Sequence, residues 1–188
     1  MTEVEIKAAL TAEQYEDILS GAPPHGYKFI CELQERDVYM NGIDRNFMKT
    51  DEALRVRRTN NVTLEKKSGY ITYKGPKQDD VSMTRREIEV QVRDADAALE
   101  VLELLGFHSV LHVIKKRRLY TNGGISLYLD HVESLGYFLE LEQMVETGQN
   151  YDAALACLFE SLRRLNIPES SLERRSYLEL LIQKQSES

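Results

Sequence analysis

The sequence predicts a β-rich α+β domain, an antiparallel barrel or sandwich with flanking helices. Three observations lead there. About eight short segments alternate polar and apolar residues or are rich in β-branched ones, only four segments carry helical periodicity, and turn signals separate the strands at short intervals. Few helices among many strands argue against a doubly wound parallel sheet.

Taken in order, "MTEVEIKAAL" is a two-faced strand. Glu3, Glu5 and Lys7 share one side, and Val4, Ile6 and Ala8 the other. Thr11-Ala-Glu-Gln14 fits a capping box, so a short helix follows and ends at Gly21 before Pro23 and Pro24. Strands are expected at Asp37–Met40, Ala53–Arg58 and Tyr70–Lys74, with a further short one at Val62–Leu64, and turns at Asn60-Asn61 and Gly75-Pro76. Arg85–Val92 is the next strand. Ala98, Leu99, Leu102 and Leu105 then repeat at helical spacing over Asp94–Leu105, with Gly106 placed as the C-terminal cap. Strands His112–Tyr120, Ser126–His131 and Tyr137–Gln143 follow, separated by Asn122-Gly123-Gly124 and Gly136. Leu155, Leu158, Phe159, Leu162 and Leu165 form a helical stripe between Asn150 and Asn166, and a last helix is expected over Leu172–Gln183. From Arg85 the strand, helix, strands pattern repeats, which suggests a pseudo-duplicated domain spanning residues 1–183, with 184–188 as a short tail.

Composition narrows the function. The 188 residues carry a net charge of −7, which argues against a broad nucleic-acid surface but allows a local basic pocket. Cys31 and Cys157 are far apart, and the N-terminus has no basic stretch leading into an apolar run, so a reduced, cytoplasmic protein is expected. No run of about 18 apolar residues is present, so no membrane partner is expected. Phosphate loops and dinucleotide fingerprints are absent, and "YKGPK" reads as a turn. His25, His108, His112 and His131 lack metal-ligand spacing.

The charges recur in pairs at period two. Arg55 and Arg57 share a face, as do Lys115 and Arg117, Glu87 and Glu89, and Glu140 and Glu142. Alternation alone leaves open whether those faces meet water or a lumen. Enclosed together, they would suit a polyanion that brings divalent cations, because carboxylates ligate magnesium or manganese while Arg and Lys bind phosphate oxygens.

The ordered set of motifs resembles the CYTH superfamily, the triphosphate tunnel metalloenzymes. Glu3-Val-Glu5-Ile-Lys7 is similar to the family's ExExK signature. "DEALRVRR" (51–58), "YITYKGP" (70–76), "RREIEV" (85–90), "VIKKRRLY" (113–120), "LYLDHVESLGYFLELE" (127–142) and "RRSYLELL" (174–181) follow in the family's order. The resemblance implies an eight-stranded antiparallel β-barrel or tunnel with flanking helices, binding a triphosphate with Mg2+ or Mn2+. It implies Glu3, Glu5, Glu140, Glu142 and Asp130 as metal-side carboxylates, and Lys7, Glu5 and Asp130 as catalytic residues. Lys7, Arg55, Arg57, Lys74, Lys115, Arg117 and Arg175 would hold the triphosphate, and Arg85, Glu87 and Glu89 would face the lumen. Arg58, Lys116 and Arg118 are expected to point outward.

Members of that superfamily include class IV adenylate cyclases, thiamine triphosphatases and inorganic triphosphatases, among them RNA 5′-triphosphatases. "RRSYLELL" and "LDHVESLGYF" look most like the cyclase branch, and the absence of Trp removes one aromatic for stacking thiamine. ATP is therefore the expected substrate, with thiamine triphosphate or tripolyphosphate as the alternative and a non-catalytic polyphosphate or nucleotide module third. No distinct dimerisation element is present, and a homodimer stays open.

Overall fold

The computed structural model describes residues 1–21, 26–146 and 148–187, so Pro23, Pro24 and His25 lie outside the described residues. Eight strands close into an antiparallel barrel. They are β1 (Thr2–Leu10), β2 (Lys28–Asn41), β3 (Ala53–Asn61), β4 (Lys66–Lys77), β5 (Arg85–Val92), β6 (His108–Asn122), β7 (Ile125–Val132) and β8 (Gly136–Val145). Around the barrel the order is β1-β5-β4-β3-β2-β6-β7-β8. The two β-α-β-β-β halves are interleaved: β1 pairs with β5 and β2 with β6, so equivalent strands of the two halves meet each other.

Four helices flank the wall: α1 (Ala12–Gly21), α2 (Ala95–Leu104), α3 (Asp152–Arg164) and α4 (Tyr177–Ser186). The first is closed by the expected capping box, in which Gln14 N donates to Thr11 Oγ1 and Thr11 N to Gln14 Oε1. After α2, Gly106 turns the chain at φ +93°, a left-handed conformation that favours glycine. No helix among the described residues is long and apolar enough to cross a membrane.

Most of the apolar core lies outside the barrel wall. Val4, Ile6, Ala8 and Leu10 of β1 join Leu127, Leu129, Leu139 and Leu141 beneath Ile18 of α1 and Ala154, Leu158 and Leu162 of α3. A second cluster packs Val38, Met40, Leu54 and Val56 under α2. A third lies on the inner face at one end of the barrel, where Tyr177, Leu178 and Leu181 of α4 pack on Val113, Val132 and Phe138, which share the face of Lys115, Asp130 and Glu140. With period two, covering the apolar face with helices sends every alternate side chain inward.

Several boundaries differ from expectation. β2 is 14 residues long rather than the expected four, because it pairs on both edges, with β3 and β6. Val62–Leu64 form the β3–β4 turn instead of a strand, with Glu65 at φ +51°. β3 runs through Asn60-Asn61, and β4 runs through Gly75-Pro76, where a register shift between Lys74 and Lys77 accommodates the proline. The last helix starts at Tyr177 rather than Leu172, capped by Ser176, because Leu172 bridges to Ala8 and Glu173 N donates to Lys7 O along the edge of β1. It also continues to Ser186, through part of the expected tail.

Candidate active site

Strand register assembles the lumen. Glu5 of β1 faces Glu142 of β8, Lys7 faces Glu140, and Glu3 faces Arg85 of β5. Lys74 of β4 faces Glu87 of β5. These side chains, with Arg55, Arg57, Glu89, Lys115, Arg117 and Tyr128, line one cavity of about 690 Å³.

Its acidic part is a cluster of Glu3, Glu5 and Glu142, whose carboxylate oxygens lie within 4.8 Å of one another. Like charges directly opposite on neighbouring strands destabilise a sheet. The titration of the group reflects this: burial, then Glu5 and Glu140, push Glu142 up to about 8. Burial also raises Glu3, reinforced by Glu142 and Glu5, although Lys74 Nζ sits 2.7 Å from its carboxylate. Three close oxygen donors, two of them on carboxyls whose ionisation is opposed, fit a hard divalent cation.

The basic part is built around two clamped arginines. Arg57 donates through Nε and Nη2 to Asp37 at 2.6 and 2.7 Å, and its Nη1 lies 3.2 Å from Glu35. Burial alone would raise Asp37, but Arg57 and Arg55 outweigh it and hold the carboxyl well below its usual range. Arg117 likewise donates to both oxygens of Asp130, at 2.7 and 2.5 Å, donates to Glu140, and packs 4.2 Å over the Tyr128 ring. Lys115 reaches Glu35 at 3.3 Å. Two buried guanidinium nitrogens in the cavity wall, Arg55 Nε and Arg85 Nη2, have no hydrogen-bond partner among the described residues.

Lys7 lies between the two parts. Its Nζ donates to the Arg175 carbonyl at 2.5 Å and sits 4.5 Å from the centre of the Tyr177 ring. Burial lowers its pKa, against the pull of Glu140, Glu5 and Glu173.

The structure does not bring every expected residue into the cavity. Asp130 is fully buried behind Arg117 and accepts a further bond from Tyr177 Oη at 2.9 Å, so it stands apart from the metal-side carboxylates. Glu140 belongs to the basic part: burial would raise it, but Arg117, Lys115 and Lys7 hold it well below the usual carboxylate range. The Arg175 side chain turns outward to Glu173 and Gln183, and only its carbonyl serves the site. Arg58, Lys116 and Arg118 face outward as expected, Arg58 pairing with Asp96 and Arg118 with Glu32. Sequence reasoning missed Glu35, Asp37 and Tyr177. The first two were detectable as a period-two acidic pair in "ELQERDVYM", whereas Tyr177 reaches the site only through the docking of α4.

Comparison with known proteins agrees with this architecture. The CYTH domain profile matches residues 1–177. A Methanocaldococcus jannaschii protein named "Putative adenylate cyclase MJ0240" is 40% identical over 180 residues, covering 96% of this chain and 98% of that protein. Adenylate cyclase CyaB of Aeromonas hydrophila is 30% identical over 146 residues, 77% of this chain and 70% of its own. The solved structure of the PH1819 protein from Pyrococcus horikoshii superposes with a TM-score of 0.87 at 39% identity, over 97% of this chain and 99% of that one. With the profile spanning all eight strands and the start of α4, and with relatives aligned along most of its length, the chain belongs to the CYTH domain family.

Proposed function

We propose that the barrel binds ATP together with Mg2+ or Mn2+ and converts it to cyclic AMP and pyrophosphate, as a class IV-type adenylate cyclase. The observation that carries this reading is the division of one cavity into a three-carboxylate cluster and a set of preheld cations with unpartnered guanidinium donors. The names of the relatives at 40% and 30% identity support the choice of reaction.

Glu3, Glu5 and Glu142 would hold the metal, which when bound neutralises phosphate charge and polarises the reacting phosphoryl group. Arg55 and Arg85 offer their free N–H groups to phosphate oxygens, while Arg57, Arg117, Lys115 and Lys74 supply charge-assisted hydrogen bonds. Asp37 and Asp130 act through the arginines they clamp, fixing the donors before substrate arrives, so little reorganisation is needed in the reaction. The 3′-hydroxyl of the ribose attacks the α-phosphorus and pyrophosphate departs, steadied by the basic part. Lys7, whose ammonium is destabilised by burial, takes up the hydroxyl proton.

One observation favours a triphosphatase instead. A second cavity of about 410 Å³ reaches Arg57, Arg117 and Tyr128 past Leu33, Ser68 and Tyr70, which gives water a separate route to the bound phosphates. In that reading water attacks the terminal phosphorus of tripolyphosphate or thiamine triphosphate.

Product analysis separates the readings. The protein is incubated with ATP, tripolyphosphate or thiamine triphosphate, each with Mg2+ or Mn2+, and the products are resolved by chromatography. Cyclic AMP with stoichiometric pyrophosphate is expected. Orthophosphate without cyclic nucleotide would overturn the cyclase in favour of the triphosphatase, and no turnover of any of the three would leave a binding module.

A further inference from the structure

We infer that the outer face of the β6-β2-β3 wall, back to back with the basic part of the lumen, carries a second anion site for a phosphorylated small molecule. The register places Arg36 of β2 directly opposite Arg58 of β3, both on the outer face. On the same face Lys116 of β6 lies opposite Gln34 of β2, and Asn60 of β3 opposite Lys67 of β4. These side chains and Arg93 surround a groove of about 810 Å³, floored by Gly69, Ala95 and Ile114. That volume suits a ligand of nucleotide size.

A cross-strand pair of arginines is unfavourable unless a negative charge lies between them. Arg58 has Asp96 as a partner. Arg36 has only the ring of His112, with Nη2 3.1 Å from Nδ1, and burial together with Arg36 and Arg58 lowers the pKa of that ring. Arg36, Lys67, Arg93 and Lys116 have no carboxylate within 4.0 Å among the described residues. Asp94 is engaged in capping α2, and Glu133 also borders the groove without forming an ion pair with any of them. Although Glu35, Asp94, Asp96 and Glu133 also line the groove, Arg36, Lys67, Arg93 and Lys116 stand around it without an ion-pair partner among the described residues in a chain of net charge −7. The Arg36–Arg58 opposition mirrors the Glu5–Glu142 opposition inside: one is completed by an anion, the other by a cation. Apolar floor atoms and guanidinium forks together favour a compact phosphorylated ligand over a lone inorganic ion.

The test is calorimetric titration of the full chain with tripolyphosphate and, separately, with ADP. EDTA is present throughout, so that metal-dependent binding in the lumen does not contribute. Three proteins are compared: the unaltered chain, R57A in the lumen, and R36E/K116E on the outer face. Binding to the unaltered chain and to R57A, weakened at least ten-fold in R36E/K116E, is the expected result. Circular dichroism and thermal melting report whether R36E/K116E folds; if it does not, R36Q/K116Q is measured in its place. The inference is overturned if neither probe binds the unaltered chain in EDTA, or if R57A rather than the outer variant loses binding. It is also overturned if the outer face captures a 12-nucleotide single-stranded RNA but neither small anion. None of these readouts depends on which reaction the lumen performs.

Discussion

Replacing Glu142 with Gln tests the electrostatic logic of the lumen directly. The substitution keeps the shape of the side chain and removes one of three carboxylates whose oxygens lie within 4.8 Å. In the metal-free protein the Glu142 pKa stands at about 8 against an ordinary 4.5. A raised carboxyl pKa means that its contribution to stability is complete below the unfolded value and is lost as pH rises through the folded one. At about 1.36 kcal/mol per pH unit the full effect approaches 5 kcal/mol. Screening by water in an open cavity reduces this to about 2 kcal/mol. E142Q should therefore melt about 4–8 °C higher than the unaltered chain at pH 9 in EDTA, and the gap should close towards pH 4.5. With Mn2+ the order reverses, because a cation bound only by the native state stabilises the protein that retains all three ligands. Thermal melts from pH 4.5 to 9, with EDTA or with Mn2+, read both effects. An E142Q variant less stable than the parent at pH 9 in EDTA, or one stabilised equally by Mn2+, would refute the repulsive-cluster argument.

Three further substitutions probe other parts of the molecule. Arg57→Ala removes a lumen donor, and the loss of charge-assisted hydrogen bonds, about 1.5–3 kcal/mol, should raise the KM for the triphosphate roughly 10- to 100-fold; Arg58→Ala, one residue away and outward, should change it less than about two-fold, and steady-state kinetics on the pair checks the facing assignment. Asp37→Asn leaves Arg57 with Glu35 as its nearest carboxylate, so stability should fall by about 3 kcal/mol in denaturant unfolding and kcat/KM on the order of 100-fold through misplaced donors. Leu158→Ala, at a fully buried position on the inner face of α3, should cost about 3–4 kcal/mol while leaving the KM unchanged, since it touches only the outer core.

Much of the fold was legible because period-two alternation is strong in this chain. The bounds of β5 match the sequence reading residue for residue, and the capping box, the Gly106 cap and the Gly123-Gly124 hairpin turn all form. Which face points inward was not legible from alternation, since the pattern is the same for either choice. The family resemblance supplied the expectation, and the helices packed on Val4, Ile6, Leu139 and Leu141 realise it in the structure. The missed residues have physical reasons. β2 opens with Lys28-Phe-Ile-Cys31, where no alternation is evident and a register shift occurs, so the expected strand began only at Asp37 and left Glu35, the other half of the acidic pair, outside it. Val62–Leu64 carry strand-forming types, yet the four-residue turn they occupy is fixed by β3–β4 pairing from Asn61 to Lys66.

Placing most of the apolar core outside the wall separates stability from chemistry over much of each strand. In an ordinary small barrel the interior is filled by apolar side chains, and the fold has no room for a polyanion. Here β1, β7 and β8 obtain burial from α1 and α3, and β2, β3 and β4 from α2, so the inward positions beyond the α4 end of the barrel are released from packing. At those positions burial, reinforced by neighbouring carboxylates, raises the carboxyl pKa values of Glu3 and Glu142, and Arg55 and Arg85 keep unpartnered donors. A substrate that brings metal ions to one part and phosphate oxygens to the other relieves both deficits at once. The same reasoning explains why Asp37 and Asp130, each almost wholly buried, are spent on Arg57 and Arg117 rather than on a metal. A carboxylate behind each guanidinium, joined for Arg117 by the Tyr128 ring, fixes its direction into the lumen before any phosphate arrives.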